Sequence, residues 1–284
     1  MAEKILKGVP VAVKLTDELS ARCQRLKAHE INPTLAMLRV GEKHGDTAYE
    51  SGAEKRCAKI GIAVKKIILP ENASRDEILD TIREINNDES IHGCLMFRPL
   101  DDKDTEISAC ELLDPSKDVD SMTYPSLAGI FTGTKLGYPP CTAQACIELL
   151  DYYGVEISGK NAVIIGRSLV IGRPVSMLLM NRNATVTICH SKTHDLPAIC
   201  RNADIIIAAV GRAKYVGTKY VSDGQTVIDV GINVLEDGKI CGDVDFDGVS
   251  EIVRAISPVP GGVGAVTTAV LAKHVRESAE RLLS

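Results

Sequence analysis

The sequence predicts an α/β protein of two lobes, and three observations carry that prediction. Strand-like and helix-like segments alternate through the first half, an order that favours a mainly parallel sheet covered by helices on both faces. The stretch Asn161–Pro174, NAVIIGRSLVIGRP, runs four apolar residues into Gly166 and sets Gly172 at the head of an apolar helix-like segment, as a dinucleotide-type (Rossmann) domain would. A helical pattern from Thr142 to Tyr153 stops at Gly154, a hinge-like position, in a chain of 284 residues that has mass enough for two domains.

The elements follow in order. Leu15, Leu19, Cys23 and Leu26 recur at helical spacing between Val11 and His29, and Asn32-Pro33 ends that helix. Thr34–Val40 is a short apolar run stopped by Gly41, a buried strand. Thr47 and Glu50 have capping-box spacing, which starts a helix there, closes it near Gly61 and puts Tyr49 in its first turn. Ile62–Leu69 reads as a strand, Ser74–Asn87 as a helix with its own Ser74…Glu77 box, Ile91–Phe97 as a strand and Thr105–Leu113 as a helix. Asp114–Pro140, richer in Gly, Pro, Ser and Thr, reads as loop. After Gly154, strands are expected at Ala162–Ile165, Thr185–Cys189, Ala203–Ala208 and Thr226–Val230, and a last helix at Val266–Leu283 that packs back across the first lobe.

Composition narrows the function. Thirty-three basic and 38 acidic residues give a net charge of −5 with the basic residues scattered, which disfavours a nucleic-acid partner. No apolar run approaches the ~20 residues of a membrane span and no leader is evident, so a soluble cytoplasmic protein is expected. Nine dispersed cysteines without a C-x-x-C pair argue for reduced thiols and against a zinc site. With no Trp and three Phe, the core is aliphatic.

Four groups carry candidate chemistry. The Gly166 turn presents backbone N–H groups and a helix start to a phosphate, although its spacing is not G-x-G-x-x-G. Arg167, Ser168 and, past the next strand, Ser191 would suit a ribose 2′-phosphate, which favours NADP over NAD; a surface arginine and a serine cap are the competing reading. Pro258–Gly264, PVPGGVG, lets backbone approach a ligand, or is simply a tight turn. Lys117–Asp120 offers two carboxylates that could accept hydrogen bonds from an amino-heterocycle or merely cap a turn. Tyr49 could stack on an aromatic ring, and positions 49, 53 and 56 share one helix face.

Taken together, PVPGGVG, GRSLVIGRP (Gly166–Pro174), PSKDVDS (Pro115–Ser121), PPCT (Pro139–Thr142), CHSKT (Cys189–Thr193) and VIDVGIN (Val227–Asn233) resemble the methylenetetrahydrofolate dehydrogenase/cyclohydrolase family of the FolD type, over nearly the whole chain. The resemblance implies a cytoplasmic homodimer whose subunits carry a folate-binding catalytic domain (1–141, with 266–284 packing back on it) and a Rossmann-type NADP-binding domain (142–265). It further implies an active site between the lobes. Members oxidise 5,10-methylenetetrahydrofolate to the methenyl cation and typically hydrolyse that cation to 10-formyltetrahydrofolate. Carried over residue by residue, Gly166, Arg167, Ser168, Gly172, Ser191 and Ile232 would contact the cofactor. Tyr49 and Asp120, with Pro260, Gly261, Gly262, Val263 and Gly264, would hold the folate.

One departure stands out. Where the family has Y-V-x-x-K, with a lysine that serves hydrolysis, this chain has Ala53. Where the family has V-Q-L-P, with a glutamine that bonds this lysine, it reads Met96-Phe97-Arg98-Pro99. Losing both is coherent, because a buried glutamine left without its partner costs about 1–3 kcal/mol. Lys55 or Arg56 could supply a substitute cation, though a guanidinium is a poor base. The expected activity is therefore NADP-dependent dehydrogenation with weak or absent cyclohydrolase; a fully bifunctional enzyme and a silent folate or nucleotide binder are the alternatives.

Overall fold

The protein, a computed structural model, is described over residues 4–283, with His44 by its backbone alone, and divides into two compact units. One comprises Lys14–Cys141 with the chain from Thr268 onward, the other Thr142–Thr267 with the chain up to Val13.

In chain order the first of these contains most of α1 (Gly8–Ala28), then β1 (Thr34–Val40), α2 (His44–Ile60), β2 (Ala63–Leu69), α3 (Arg75–Asn87), β3 (Gly93–Met96), α4 (Lys103–Leu112) and α5 (Tyr124–Thr132). The α1 stripe is buried as its spacing requires. Three parallel strands form a sheet of order β2-β1-β3, with Thr34 opposite Ala63 and Leu35 opposite Gly93. β1 is central and its five inner residues are buried, while edge strand β2 is largely exposed. Ile78, Ile82 and Ile85 of α3 pack with Leu38, Ile91 and Met96 into one core.

Two expectations fail here. α2 starts at His44, so Tyr49 lies in its second turn, and Thr47 and Glu50 form no capping box. Glu50 is drawn instead to the buried guanidinium of Arg39 on β1, at 3.0 Å, because a charge excluded from water needs a counter-charge. The stretch read as loop, 114–140, contains α5, which Thr123 caps by accepting from the Ser126 amide and which Gly133 ends in the left-handed conformation. Two of its large apolar residues, Tyr124 and Phe131, are exposed and its buried face is Ser126, Gly129 and Ile130, so no apolar stripe announced it. The Ser74…Glu77 capping box is present in both directions, as expected.

The other unit follows with α6 (Cys141–Tyr152), β4 (Asn161–Ile165), α7 (Gly172–Met180), β5 (Thr185–Cys189), α8 (Leu196–Arg201), β6 (Ile205–Ala208), β7 (Thr226–Asp229), the short hairpin β8 (Asn233–Val234) and β9 (Ile240–Cys241), α9 (Phe246–Ser250) and β10 (Ala255–Ile256); the last helix, α10 (Thr267–Glu280), returns to the first unit from Thr268 onward. Its five parallel strands run β10-β7-β6-β4-β5. The chain passes from β4 to β5 on one side and then to β6 on the other, so the topological switch lies at the carboxyl ends of β4 and β6, where such sheets bind ligands. Ile5 bridges to Ile256 and so ties the amino-terminal residues onto this sheet. Among the described residues no helix is long and apolar enough to cross a membrane.

Candidate active site

The nucleotide-type half is built from two glycines. Gly166 leaves β4 at φ +130°, and a Cβ there would stand 2.1 Å from the Ala209 carbonyl oxygen; a Cβ on Gly172 would stand 2.3 Å from the Gly166 carbonyl oxygen. Only glycine permits the exits of β4 and β6 and the start of α7 to meet so closely. The Gly166 amide donates to Cys189 O at 2.9 Å, which fixes the turn against the end of β5. The result is a backbone cradle with a helix start at the switch point, which fits a dinucleotide pyrophosphate.

Around it, Arg167 and Ser191 are exposed beyond the ends of β4 and β5. Ser168 is exposed, and its Oγ accepts from the Ile171 and Gly172 amides at 3.1 and 3.4 Å, a local turn that holds the entry to α7. The turn after β5 is closed by the His190 amide donating to Thr193 Oγ1. Ile232 is 68% exposed between two anchored neighbours. The Pro258–Gly264 turn belongs to this same unit. Gly261 O accepts from the Gly8 amide at 2.8 Å, Gly262 and Val263 are buried, and Pro260 and Gly264 are exposed. A 3-10 turn, Val263–Ala265, separates it from α10, so no helix starts directly on the glycines.

In the other unit the candidate residues centre on α2. Tyr49 is half-buried, and its ring meets that of Phe97 edge-on, with centroids 6.3 Å apart. Ala53, one turn along, is fully buried. The two neighbouring cations are placed elsewhere. Arg56 donates to Thr16 Oγ1 at 2.7 Å and to Thr268 Oγ1 at 3.5 Å, and Lys55 is exposed. Phe97 also lines a cavity of about 210 Å³ with Val40, Lys43, Pro99 and Asp101, beyond the carboxyl ends of β1 and β3. Lys43 there donates to Pro99 O and Asp101 Oδ1.

The two carboxylates of Lys117–Asp120 separate in role. Asp118 is buried and accepts from the Met122 and Thr123 amides and the Thr123 hydroxyl, a turn-and-cap function. Lys117 donates to Ile85 O, Asn86 O and Asp88 O, closing the carboxyl end of α3. That leaves Asp120, half-buried, with Oδ1 accepting from the Cys141 amide at 2.7 Å; burial pushes its carboxyl above the usual range.

Sequence reasoning passed over a second carboxylate pair, Asp229 and Asp243, both buried beside the switch point. Burial pushes the Asp229 carboxyl up to about 6. The signal available was a charge closing the apolar run Thr226–Asp229. Among the described residues no group of three or more His, Cys, Asp or Glu side chains is gathered as for a metal, and all nine cysteines are free thiols.

Comparison with known proteins bears on both units. Residues 6–120 match the model of the tetrahydrofolate dehydrogenase/cyclohydrolase catalytic domain, and residues 140–283 match that of the tetrahydrofolate dehydrogenase/cyclohydrolase NAD(P)-binding domain. The "Bifunctional protein FolD" of Carboxydothermus hydrogenoformans is 49% identical over 99% of both chains. The crystal structure of the bifunctional FolD of Campylobacter jejuni superposes with a TM-score of 0.94 at 39% identity, over 98% of this chain and 99% of that one. The Trypanosoma brucei FolD, solved with NADP and an inhibitor, superposes with a TM-score of 0.92 at 31% identity, over 98% of each.

Proposed function

The chain belongs to the tetrahydrofolate dehydrogenase/cyclohydrolase family, and from that premise we propose that it oxidises 5,10-methylenetetrahydrofolate to 5,10-methenyltetrahydrofolate with NADP, with its hydrolytic step weakened. The observation that carries the second half is the side-chain pair Ala53 and Phe97 beside Tyr49: no amine stands one turn along α2, and a phenyl ring occupies the position of its amide partner.

NADP, when bound, accepts the hydride. The protein's own part is to hold and orient. Gly166 and Gly172 open the cradle for the pyrophosphate, and Arg167 with Ser191 offers a cation and a hydroxyl to the 2′-phosphate. On the folate side, Tyr49 offers a ring to stack on and Asp120 an acceptor for the amino-heterocycle, while the Pro260–Gly264 turn offers exposed backbone. Dehydrogenation asks little acid–base work of these groups, because the ring nitrogens of the substrate support the cation that hydride departure leaves; positioning is the demand. Hydrolysis of that cation must activate water, and there the absent lysine is felt.

Full bifunctionality is the second reading, favoured by the names of relatives such as that of C. hydrogenoformans. Purified protein given methylenetetrahydrofolate and NADP should form NADPH and accumulate the methenyl form; rapid enzyme-dependent hydrolysis of added methenyltetrahydrofolate would establish the second reading instead. The proposal includes a cytoplasmic homodimer, supported by the family resemblance, and light scattering tests the assembly.

A further inference from the structure

Behind the exposed Ile232 lies a construction that the cofactor motifs do not include. After β6 the chain turns through Val210, Gly211 and Arg212, and the three successive amides converge on one carboxylate: Val210 and Gly211 donate to Asp243 Oδ2, at 2.6 and 2.9 Å, and Arg212 donates to Asp243 Oδ1 at 2.9 Å. Such a row of amides is an anion-binding nest, and here the protein's own side chain fills it. The same Oδ1 accepts from Asn233 Nδ2 at 2.9 Å. Asp243 therefore joins the loop after β6 to the loop after β7.

Its seat is set by the second carboxylate. Asp229 Oδ1 accepts from the Asp243 and Gly231 amides, each at 3.0 Å, and Oδ2 from the Val244 amide at 2.9 Å. Glycines make room: a Cβ on Gly231 would lie 2.3 Å from Asp243 Oδ1, and one on Gly242 would lie 1.8 Å from Asp229 Oδ2. Gly231 is thus held to one carboxylate and Asn233 to the other, with Ile232 between them. Both loops stand at the carboxyl ends of β6 and β7, next to the switch point.

We propose that Asp243 is a positioning residue for the cofactor: by filling the 210–212 nest and gripping Asn233, it fixes the two loops that present Ile232 and Gly211 to the nicotinamide nucleotide. This rests on the reading that NADP binds at the β4–β6 switch. Charge-assisted hydrogen bonds from seven donors, six backbone amides and the Asn233 side chain, to two buried carboxylates would be wasted on loops that had only to cover the surface.

The test uses the full chain. Asp243→Asn removes the charge and one acceptor oxygen, and should raise the Kd for NADP in calorimetry and the KM for NADP at least about tenfold, while the KM for the folate changes less than twofold. Asn233→Ala, which cuts one strand of the grip and leaves the buried pair intact, should raise the same two constants about threefold if the first variant does not fold. A melting temperature that falls while the NADP constants of a folded variant stay put overturns the proposal. Hydrogen exchange on the unmodified protein separates this from the underlying reading. NADP should slow exchange at 210–212 and 231–233. If it does not, the cofactor assignment of these loops fails and the proposal with it; if it does and the variants bind normally, only the positioning role falls.

Discussion

The ring of Phe97 stands edge-on to that of Tyr49, at an interplanar angle of 78°. This is an ordinary and favourable aromatic geometry, and it means that the tyrosine proposed to hold the folate rests against a hydrocarbon wall.

Rebuilding the polar pair should rebuild the second activity. Ala53→Lys with Phe97→Gln should raise methenyltetrahydrofolate hydrolysis about a hundredfold, the scale of one positioned acid–base group. Ala53→Lys alone, which buries an ammonium beside the phenyl ring, should melt lower than the double variant. Following the decay of methenyl absorbance gives the rate, and no gain in the double variant argues that hydrolysis here never depended on these positions.

The Arg39–Glu50 pair anchors α2, and with it Tyr49, to the central strand of the three-stranded sheet. Both side chains are nearly excluded from water, and Lys66 approaches the same carboxylate at 3.6 Å. Glu50→Ala should cost about 3–5 kcal/mol in urea unfolding, because it strands a buried guanidinium, whereas Arg39→Met with Glu50→Leu should cost far less. Equal losses in the two would show that the helix and strand are held by packing alone.

Cofactor choice should follow Arg167. It is exposed past β4, and Arg167→Ala should lower the NADP-to-NAD ratio of kcat/KM about tenfold or more, roughly 1.4 kcal/mol of phosphate recognition. An unchanged ratio would assign the 2′-phosphate to other groups.

Acid should find His274. The ring is buried, stacks on Tyr138 with centroids 4.9 Å apart and places Nδ1 2.9 Å from Val119 O, and burial lowers its pKa to about 4. The unfolded chain takes up this proton near 6.5, so the native state binds fewer protons between the two values. Stability from this group is whole above about pH 6.5 and lost as pH falls toward 4, by at most about 3 kcal/mol. His274→Asn should show a smaller difference between urea midpoints at pH 7 and pH 4.5 than the unmodified protein; an equal difference rules the histidine out.

Legibility in the sequence depended on how local each cause was. Ser74 and Glu77 cap α3 within one turn, and the pattern could be read directly. Thr47 and Glu50 show similar spacing, yet Glu50 answers to Arg39 on another element, which no local pattern reveals. α5 carried its cap and its terminal glycine in plain view, but its exposed Tyr124 and Phe131 hid the helix. β10 and the β8–β9 hairpin have two residues per strand, too few for any periodicity. At the site, the glycine turn was legible because only backbone was needed. The division of labour between Asp118 and Asp120 was not, since it depends on amides at 122, 123 and 141.

The crossing points of the chain bear on how the protein is made. The unit that begins at Thr142 needs residues synthesised first, for Leu6 donates to Ile256 O and Gly8 to Gly261 O. The unit that begins at Lys14 needs residues synthesised last, since α10 brings His274 and Val275 into its core. Neither can be completed on the ribosome before nearly the whole chain has emerged, so a nascent chain paused anywhere before α10 exposes unfinished core to chaperones and proteases.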